Sequence, residues 1–256
     1  GRGDAGENPA PVNNINPAGR VGPSLRFEKV SVTLVGPEYP INVGYTARLA
    51  KNFGISKLYL IEPKFDRRIA SVYAAHGADI IEKAEEIDLD ELRRRHDLLV
   101  ATTAITATKR TNVNRLSVTP EEVTQYVASS KSASLVLGRD TTGLKNEEIA
   151  KCDMVTTIHT GTNYRTLNVS HSLAILIYVL SRGTAAKRRV PELRERDAFA
   201  AYAYELALAS GLQRHRAERL KKLASRMTIR SQLDGKELGL LVSLMRKAVM
   251  AISESS

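Results

Sequence analysis

Three stretches of this 256-residue chain combine glycines with polar side chains at spacings that could do chemistry. In NVGYTAR (42–48), Asn42 can cap a helix and Arg48 lies near its second turn, offering a cation to a phosphate or a developing negative charge. In LVLGRDTTGL (135–144), Gly138 and Gly143 allow a ligand to approach the backbone closely. In IHTGTNYRTLNVSHSLAILIY (158–178), Gly161 precedes a run of hydroxyls and amides that includes Thr166, Asn168 and Ser170. That run opens an otherwise apolar segment. A helix is expected from Asn168 or Ser170 to about Ser181, burying Leu173, Ile175, Leu176, Ile177 and Val179. Capping needs one polar residue, and this segment supplies a cluster.

Other chemistries find less support. There is no GxxxxGK[ST], and no GxGxxG follows the first strand pattern. The five histidines are scattered and no HExxH occurs, so no metal is expected. A single cysteine, Cys152, excludes an internal disulfide and a cysteine-based zinc site. Ser170, His171 and Asp140 do not make a hydrolase triad, because adjacent residues on a helix point apart and no GxSxG elbow exists. His76, His171 and Cys152 read as packing or capping residues.

The elements that must position these residues alternate. Apolar, β-branched runs at 31–36, 57–61, 97–102, 134–138 and 154–159 are separated by helical periods at 43–53, 70–76, 89–95, 120–128 and 168–181. Runs without polar alternation suit strands buried on both faces, so the expected class is α/β, a parallel sheet covered by helices. All three stretches then fall at the carboxyl ends of strands, where open α/β sheets bind ligands. Residues 197–210, 216–226 and 236–252 look helical without any strand pattern, so an all-α extension is expected at 191–256. The Gly-, Pro- and Asn-rich start reads as a flexible tail (1–27) rather than a secretion signal. No apolar run reaches the roughly 18–20 residues of a membrane span, and the default expectation is a cytoplasmic protein.

The net charge of +10 is unevenly placed: residues 187–230 carry twelve lysines and arginines against five acids. Such a concentration attracts polyphosphate backbones, although a solvated helical face would look the same. The loop 102–115 adds Lys109, Arg110 and Arg115. Few aromatics are present, so base stacking is not the evident mode of binding.

Taken together, N-x-G-x-x-x-R, LVLGRDxxGL and LNVSHSLAILIY, in that order over residues 30–182, resemble the SPOUT-class RNA ribose methyltransferases. The resemblance is nearest to the tRNA 2′-O-methyltransferases of the TrmH and TrmJ type, and the C-terminal segment 218–248 looks like the TrmJ helical extension. It implies a domain over 28–183 whose C-terminal part forms a deep trefoil knot, which is a rare exception to unknotted topology. It further implies S-adenosylmethionine as cofactor, tRNA as partner, a homodimer, and transfer of methyl to a ribose 2′-hydroxyl, with TrmJ-like motifs pointing to anticodon-loop nucleotide thirty-two. The alternatives are a TrmH-like D-loop or ribosomal RNA 2′-O-methyltransferase, a non-catalytic RNA-binding module and, less well matched, a dinucleotide oxidoreductase.

Carried onto this sequence, the resemblance places the cofactor among Leu137, Gly138, Ile158, Gly161, Leu167, Asn168 and Ser170. It places Arg48, Asn42 and Thr166 at the chemistry, with one subunit's Arg48 and Asn42 meeting cofactor held by the other. The family often casts this arginine as the base, yet a guanidinium keeps its proton, so we read Arg48 as electrostatic stabiliser and phosphate clamp. An RNA phosphate or water then takes the proton. Serine is common in the family where this chain has Thr166, which keeps the hydroxyl and adds a methyl. Lys109, Arg110, Arg115, Tyr164 and Arg165 are the expected RNA contacts; Tyr39 and Tyr164 could equally pack at the pocket rim, and Arg165 could face solvent.

Overall fold

In the computed structural model of the chain, residues 27–104, 117–183, 191–231, 233 and 235–254 are described. Seven parallel strands form one sheet: β1 (Val30–Val35), β2 (Lys57–Ile61), β3 (Glu85–Glu86), β4 (Leu98–Thr102), β5 (Ser117–Val118), β6 (Ala133–Leu137) and β7 (Met154–Thr156). Their order is β3-β2-β1-β6-β4-β7-β5. The register pairs Val32 with Leu58 on one side and Leu135 on the other, so the expected parallel α/β sheet is present.

Each buried face has its own helices. Val30, Val32, Leu34, Leu135 and Leu137 pack into a large cluster with α1 (Pro40–Asn52), α2 (Arg67–Ala74), α3 (Ala78–Glu82), α5 (Pro120–Ser129) and α7 (Val169–Ser181). Val35, Tyr59, Leu99, Val136 and Val155 pack with α4 (Leu89–Arg95) and α6 (Asn146–Lys151). Local chemistry sets the helix starts. Asp66 caps α2 through Arg68 N and Ile69 N, while Thr119 and Glu122 form a capping box ahead of Pro120 in α5.

Several expectations need correction. Strand 154–159 ends at Thr156, and α3, β3, β5 and α6 have no counterpart in the sequence pattern. On α7 the 3.6-residue period turns Leu173, Leu176, Ile177 and Leu180 inward, but it leaves Ile175 and His171 exposed and Val179 only half-buried. His76 is exposed too, so neither histidine packs a core. Phe27, counted with the tail 1–27, sets its ring edge-on to Phe53 with centroids 5.9 Å apart. Cys152 is buried as expected, and burial pushes its thiol pKa up to about 12, leaving it unreactive.

Beyond α7 the described residues form α8 (Leu193–Ala209), α9 (Arg214–Arg230) and α10 (Gly235–Glu254), sharing a cluster of Phe199, Ala200, Ala203, Ala224 and Leu238. Ile229 on α9 joins the main cluster of the sheet, and a buried ion pair adds a second tie through α8. Asp153, just before β7, accepts from Leu99 N (2.7 Å), Arg93 Nη1 (2.6 Å) and Arg196 Nη1 (2.9 Å). Arg196, on α8, is 0% exposed and also donates Nη2 to the Asp97 carbonyl. Among the described residues no helix is long and apolar enough to cross a membrane, and no group of His, Cys, Asp and Glu is placed to hold a metal ion.

Two outcomes follow from these buried groups. Asp153→Ala strands the Arg196 guanidinium without its counter-charge and should lower unfolding free energy by about 3–5 kcal/mol in urea titrations. Arg196→Met keeps the volume and leaves Asp153 held by Arg93 and Leu99 N, so its loss should be distinctly smaller. The second concerns His96, whose Nδ1 donates to Leu92 O (3.1 Å), leaving Nε2 to accept from Ser31 Oγ (2.9 Å). Burial holds its pKa below the usual 6.5. The unfolded chain therefore binds a proton that the folded chain refuses. Stability should fall as pH drops below about 6.5, and His96→Gln should flatten the urea midpoint over that range.

Candidate active site at the carboxyl ends of the strands

The ends of β4, β6 and β7 enclose a cleft of about 170 Å³, closed on its far side by residues 165–167 and the first turn of α7. Residues 137–144 form one complete wall. That wall depends on glycine at a specific point: a Cβ on Gly138 would stand 2.2 Å from the Gly143 carbonyl carbon. Arg139 and Gly143 exchange backbone hydrogen bonds (3.2 and 3.0 Å), folding the loop into a tight clip, and Gly143 completes it at φ +67°.

Of the residues expected to hold a cofactor, Leu137, Gly138, Ile158 and Leu167 line this cleft, as do Thr166 and Arg165. Gly161, Asn168 and Ser170 do not line it. Gly161 sits at φ +72° in the loop beyond β7, where Thr160 and Thr162 hydroxyls donate to the Tyr164 carbonyl. Tyr164 itself is 81% exposed, on the surface of that loop. Lys109, Arg110 and Arg115 lie outside the described residues.

Asn168 and Ser170 belong instead to a hydrogen-bonded chain that crosses all three stretches. Asn168 Oδ1 caps α7 by accepting from Ser170 N (2.8 Å) and Ser170 Oγ (2.7 Å). Its Nδ2 donates to Asn42 Oδ1 (2.7 Å), and Asn42 Nδ2 donates to Asp140 Oδ1 (2.5 Å). The other Asp140 oxygen accepts from Glu38 N (3.1 Å) and Tyr39 N (3.2 Å). Asp140 is the residue that reading the sequence missed. The sequence offers it only as a member of a hydrolase triad, which the geometry excludes, since Ser170 Oγ is committed to Asn168 and His171 is exposed. The available signal was its place inside LVLGRDTTGL.

Arg48 stands apart from the network. It is exposed on α1, does not line the cleft, and makes no hydrogen bond or ion pair among the described residues. The cleft thus offers apolar walls, closely approachable backbone and the Thr166 hydroxyl, with Arg165 on its rim and Arg48 turned outward. Such a site can hold part of a partly apolar small molecule and meet a polyanion at its mouth.

Removing the carboxylate at the end of the chain tests the network. Asp140→Ala should leave Asn42 Nδ2 and two backbone amides without their acceptor and lower stability by about 1–3 kcal/mol. Asp140→Asn, which keeps one acceptor oxygen, should lose less. Chemical denaturation of both variants against the parent measures the difference.

Comparison with known proteins agrees with this geometry. Residues 29–178 match the SpoU rRNA methylase family. The chain is 31% identical over 228 residues to the tRNA (cytidine-2′-O-)-methyltransferase TrmJ of Sulfolobus acidocaldarius, covering 88% of this chain and 95% of that protein. It is 35% identical over 152 residues to the TrmJ of Methanocaldococcus jannaschii, covering 58% and 66%. The crystal structure of TrmJ from Z. mobilis ZM4 superposes with a TM-score of 0.64 at 18% identity, over 85% of this chain and 97% of that one, which speaks to the fold. On the extent of the family match and the identity to a relative covered almost end to end, the chain belongs to the SpoU rRNA methylase family.

Proposed function

We propose that this chain is an S-adenosylmethionine-dependent tRNA ribose 2′-O-methyltransferase acting in the anticodon loop, at nucleotide thirty-two. The observation that carries the reading is the Asp140–Asn42–Asn168 chain, which joins the three motif stretches beside the cleft. The curated relatives that act on cytidine 2′-hydroxyls of tRNA support it further. The residues present fit S-adenosylmethionine. Gly138 keeps the clip wall free of a Cβ, while Leu137, Ile158 and Leu167 offer apolar surface for an adenine and a thioether.

The chemistry that S-adenosylmethionine supplies is an electrophilic methyl on a sulfonium. What remains for the protein is placement and charge. Thr166 keeps a hydroxyl at the cleft, and Arg165 meets a phosphate or carboxylate at its rim. Arg48 clamps RNA phosphate and stabilises the alkoxide that develops at the ribose 2′-oxygen, whose proton passes to an RNA phosphate or water. Arg48 faces away from its own cleft, which fits a homodimer in which it reaches the partner's cleft. Exposed Ile41, Tyr45, Tyr73, Ile175 and Tyr178 on α1, α2 and α7 supply an apolar surface for that pairing. In this reading residues 28–183 are the methyltransferase domain and carry the trefoil knot. Residues 191–256 are an extension that grips RNA through Arg214, Arg216, Arg219, Lys221 and Lys222, all exposed on α9, or that adds to the dimer.

Methyl transfer from labelled S-adenosylmethionine to unmodified tRNA, followed by mapping the resistant phosphodiester bond, tests this directly. Label at nucleotide thirty-two of the anticodon loop is expected. Label on a base overturns the reaction, label in the D-loop or in ribosomal RNA overturns the position, and tight RNA binding without turnover supports the binding module. Arg48→Lys should retain measurable turnover if positive charge suffices. Complete loss with RNA binding intact would assign Arg48 a role that needs the guanidinium shape.

A further inference from the structure

The clip that walls the cleft is braced by the side chain of Arg139, one of the wall's own residues. Its guanidinium forms a two-pronged pair with Glu148 on α6, Nη1 to Oε2 at 3.0 Å and Nη2 to Oε1 at 2.9 Å. Both side chains are largely buried, at 14% and 13% exposure, so this is not a mobile surface pair. Nη2 also reaches Glu62 Oε2 (3.4 Å), and Nη1 lies 3.5 Å from the Gly143 carbonyl within the clip. Glu148 is itself fixed, because its Oε2 accepts from Lys145 N (2.6 Å) at the start of α6.

The stem of Arg139 is confined as well. A Cβ on Gly36 would stand 2.8 Å from Arg139 Cγ and Nε, so the end of β1 must be glycine for the arginine to lie across it. Gly36 takes φ +58° there and donates its N–H to the Ile61 carbonyl (2.7 Å), and Glu62, next in the chain, takes φ +50°. A non-glycine residue at positive φ is strained, and one that also faces a guanidinium is held by its surroundings. The ends of β1, β2 and β6 and the start of α6 thus converge on one side chain. Its neighbour Asp140 faces the other way, to the α1 segment.

We propose that Arg139 is a positioning residue for the methyl donor, acting through the clip 138–144. Its fork to Glu148 and its stem over Gly36 hold the backbone of that wall at the spacing the donor needs, without touching the reacting atoms. The proposal rests on the function given above. It goes further in separating the two ends of the dipeptide: Asp140 anchors the α1 side, and Arg139 sets donor affinity. Glu148 is its obligate partner, so loss of either should have the same effect.

The test uses the full chain, with S-adenosylmethionine binding followed by calorimetry and methyl transfer by initial rates. Arg139→Ala should raise Kd and KM for S-adenosylmethionine by about tenfold or more, while kcat at saturating donor stays within about threefold. Glu148→Ala should do the same, and the double variant should be no worse than either single one. Arg139→Lys keeps the charge without the fork and should recover only part of the affinity. Hydrogen exchange should show faster amides at 138–144 in Arg139→Ala and unchanged amides in the β1–β2 core. An unchanged KM, a fall confined to kcat, or additive losses in the double variant would each overturn the proposal. Failure of the parent chain to bind S-adenosylmethionine is a separate outcome that overturns the functional reading, and with it the donor. Exchange at 138–144 then still decides whether Arg139 orders the clip.

Discussion

Asp140 accepts three hydrogen bonds from the segment that begins α1: one from the Asn42 amide and two from the Glu38 and Tyr39 backbone. No side chain caps that helix from within its own segment, since Tyr39 at its N-cap makes no such bond. The Asp140 carboxylate, brought from the end of β6, instead ties down the two residues that lead into α1 and the side chain of its third residue, Asn42. Asn42 then passes the constraint to Asn168, and Asn168 to the first turn of α7. Three segments that each terminate or begin at the sheet's carboxyl edge are thereby locked into one relative arrangement. The position of the cleft walls follows from it.

The opposite edge of the sheet holds the other constraint. Asp153 precedes β7 and gathers Arg93, Arg196 and the Leu99 amide, while Thr156 at the far end of the same strand already lines the cleft. Three residues of strand span only about 10 Å. The site at one end and the anchorage of α8 at the other are thus separated by a single short, fully buried strand. A buried ion pair contributes little net stability against an apolar replacement, but it permits one geometry and penalises others steeply. The C-terminal helices are accordingly held in a defined pose at the amino edge, away from the cleft.

How much of this could be read from residues alone depended on range. The five longer strands and the main helices announce themselves through apolar runs and periods, and Thr119-Pro120-Glu121-Glu122 through its capping chemistry. The short pieces α3, α6, β3 and β5 do not, because fewer than two helical turns, or a pair of strand residues, carry too little periodicity to register. Ile175 and His171 were assigned inward because α7 is apolar nearly all round, and only its packing partners decide which face is the core. Long-range pairing was the real limit. Asn42 meets Asp140 across 98 residues and Asn168 across 126, and nothing local in any of the three marks its partner.

The same bonds change what the polar residues are for. Asn42 Oδ1 accepts from Asn168 Nδ2, and Asn42 Nδ2 donates to Asp140; Asn168 Oδ1 accepts from both the backbone N–H and the hydroxyl of Ser170. The two amide oxygens and the Ser170 hydroxyl hydrogen are thus engaged within the network. Redirecting any of them to a substrate would break a bond that holds α1 or α7 in place. Thr166 and Arg165 at the cleft, and Arg48 on the outer face of α1, carry no such obligation to the network. The polar cluster that introduces an apolar helix is therefore divided in function. Asn168 and Ser170 build the end of the helix and tie it to α1, and Arg165, Thr166 and Leu167, just before them, line the cleft.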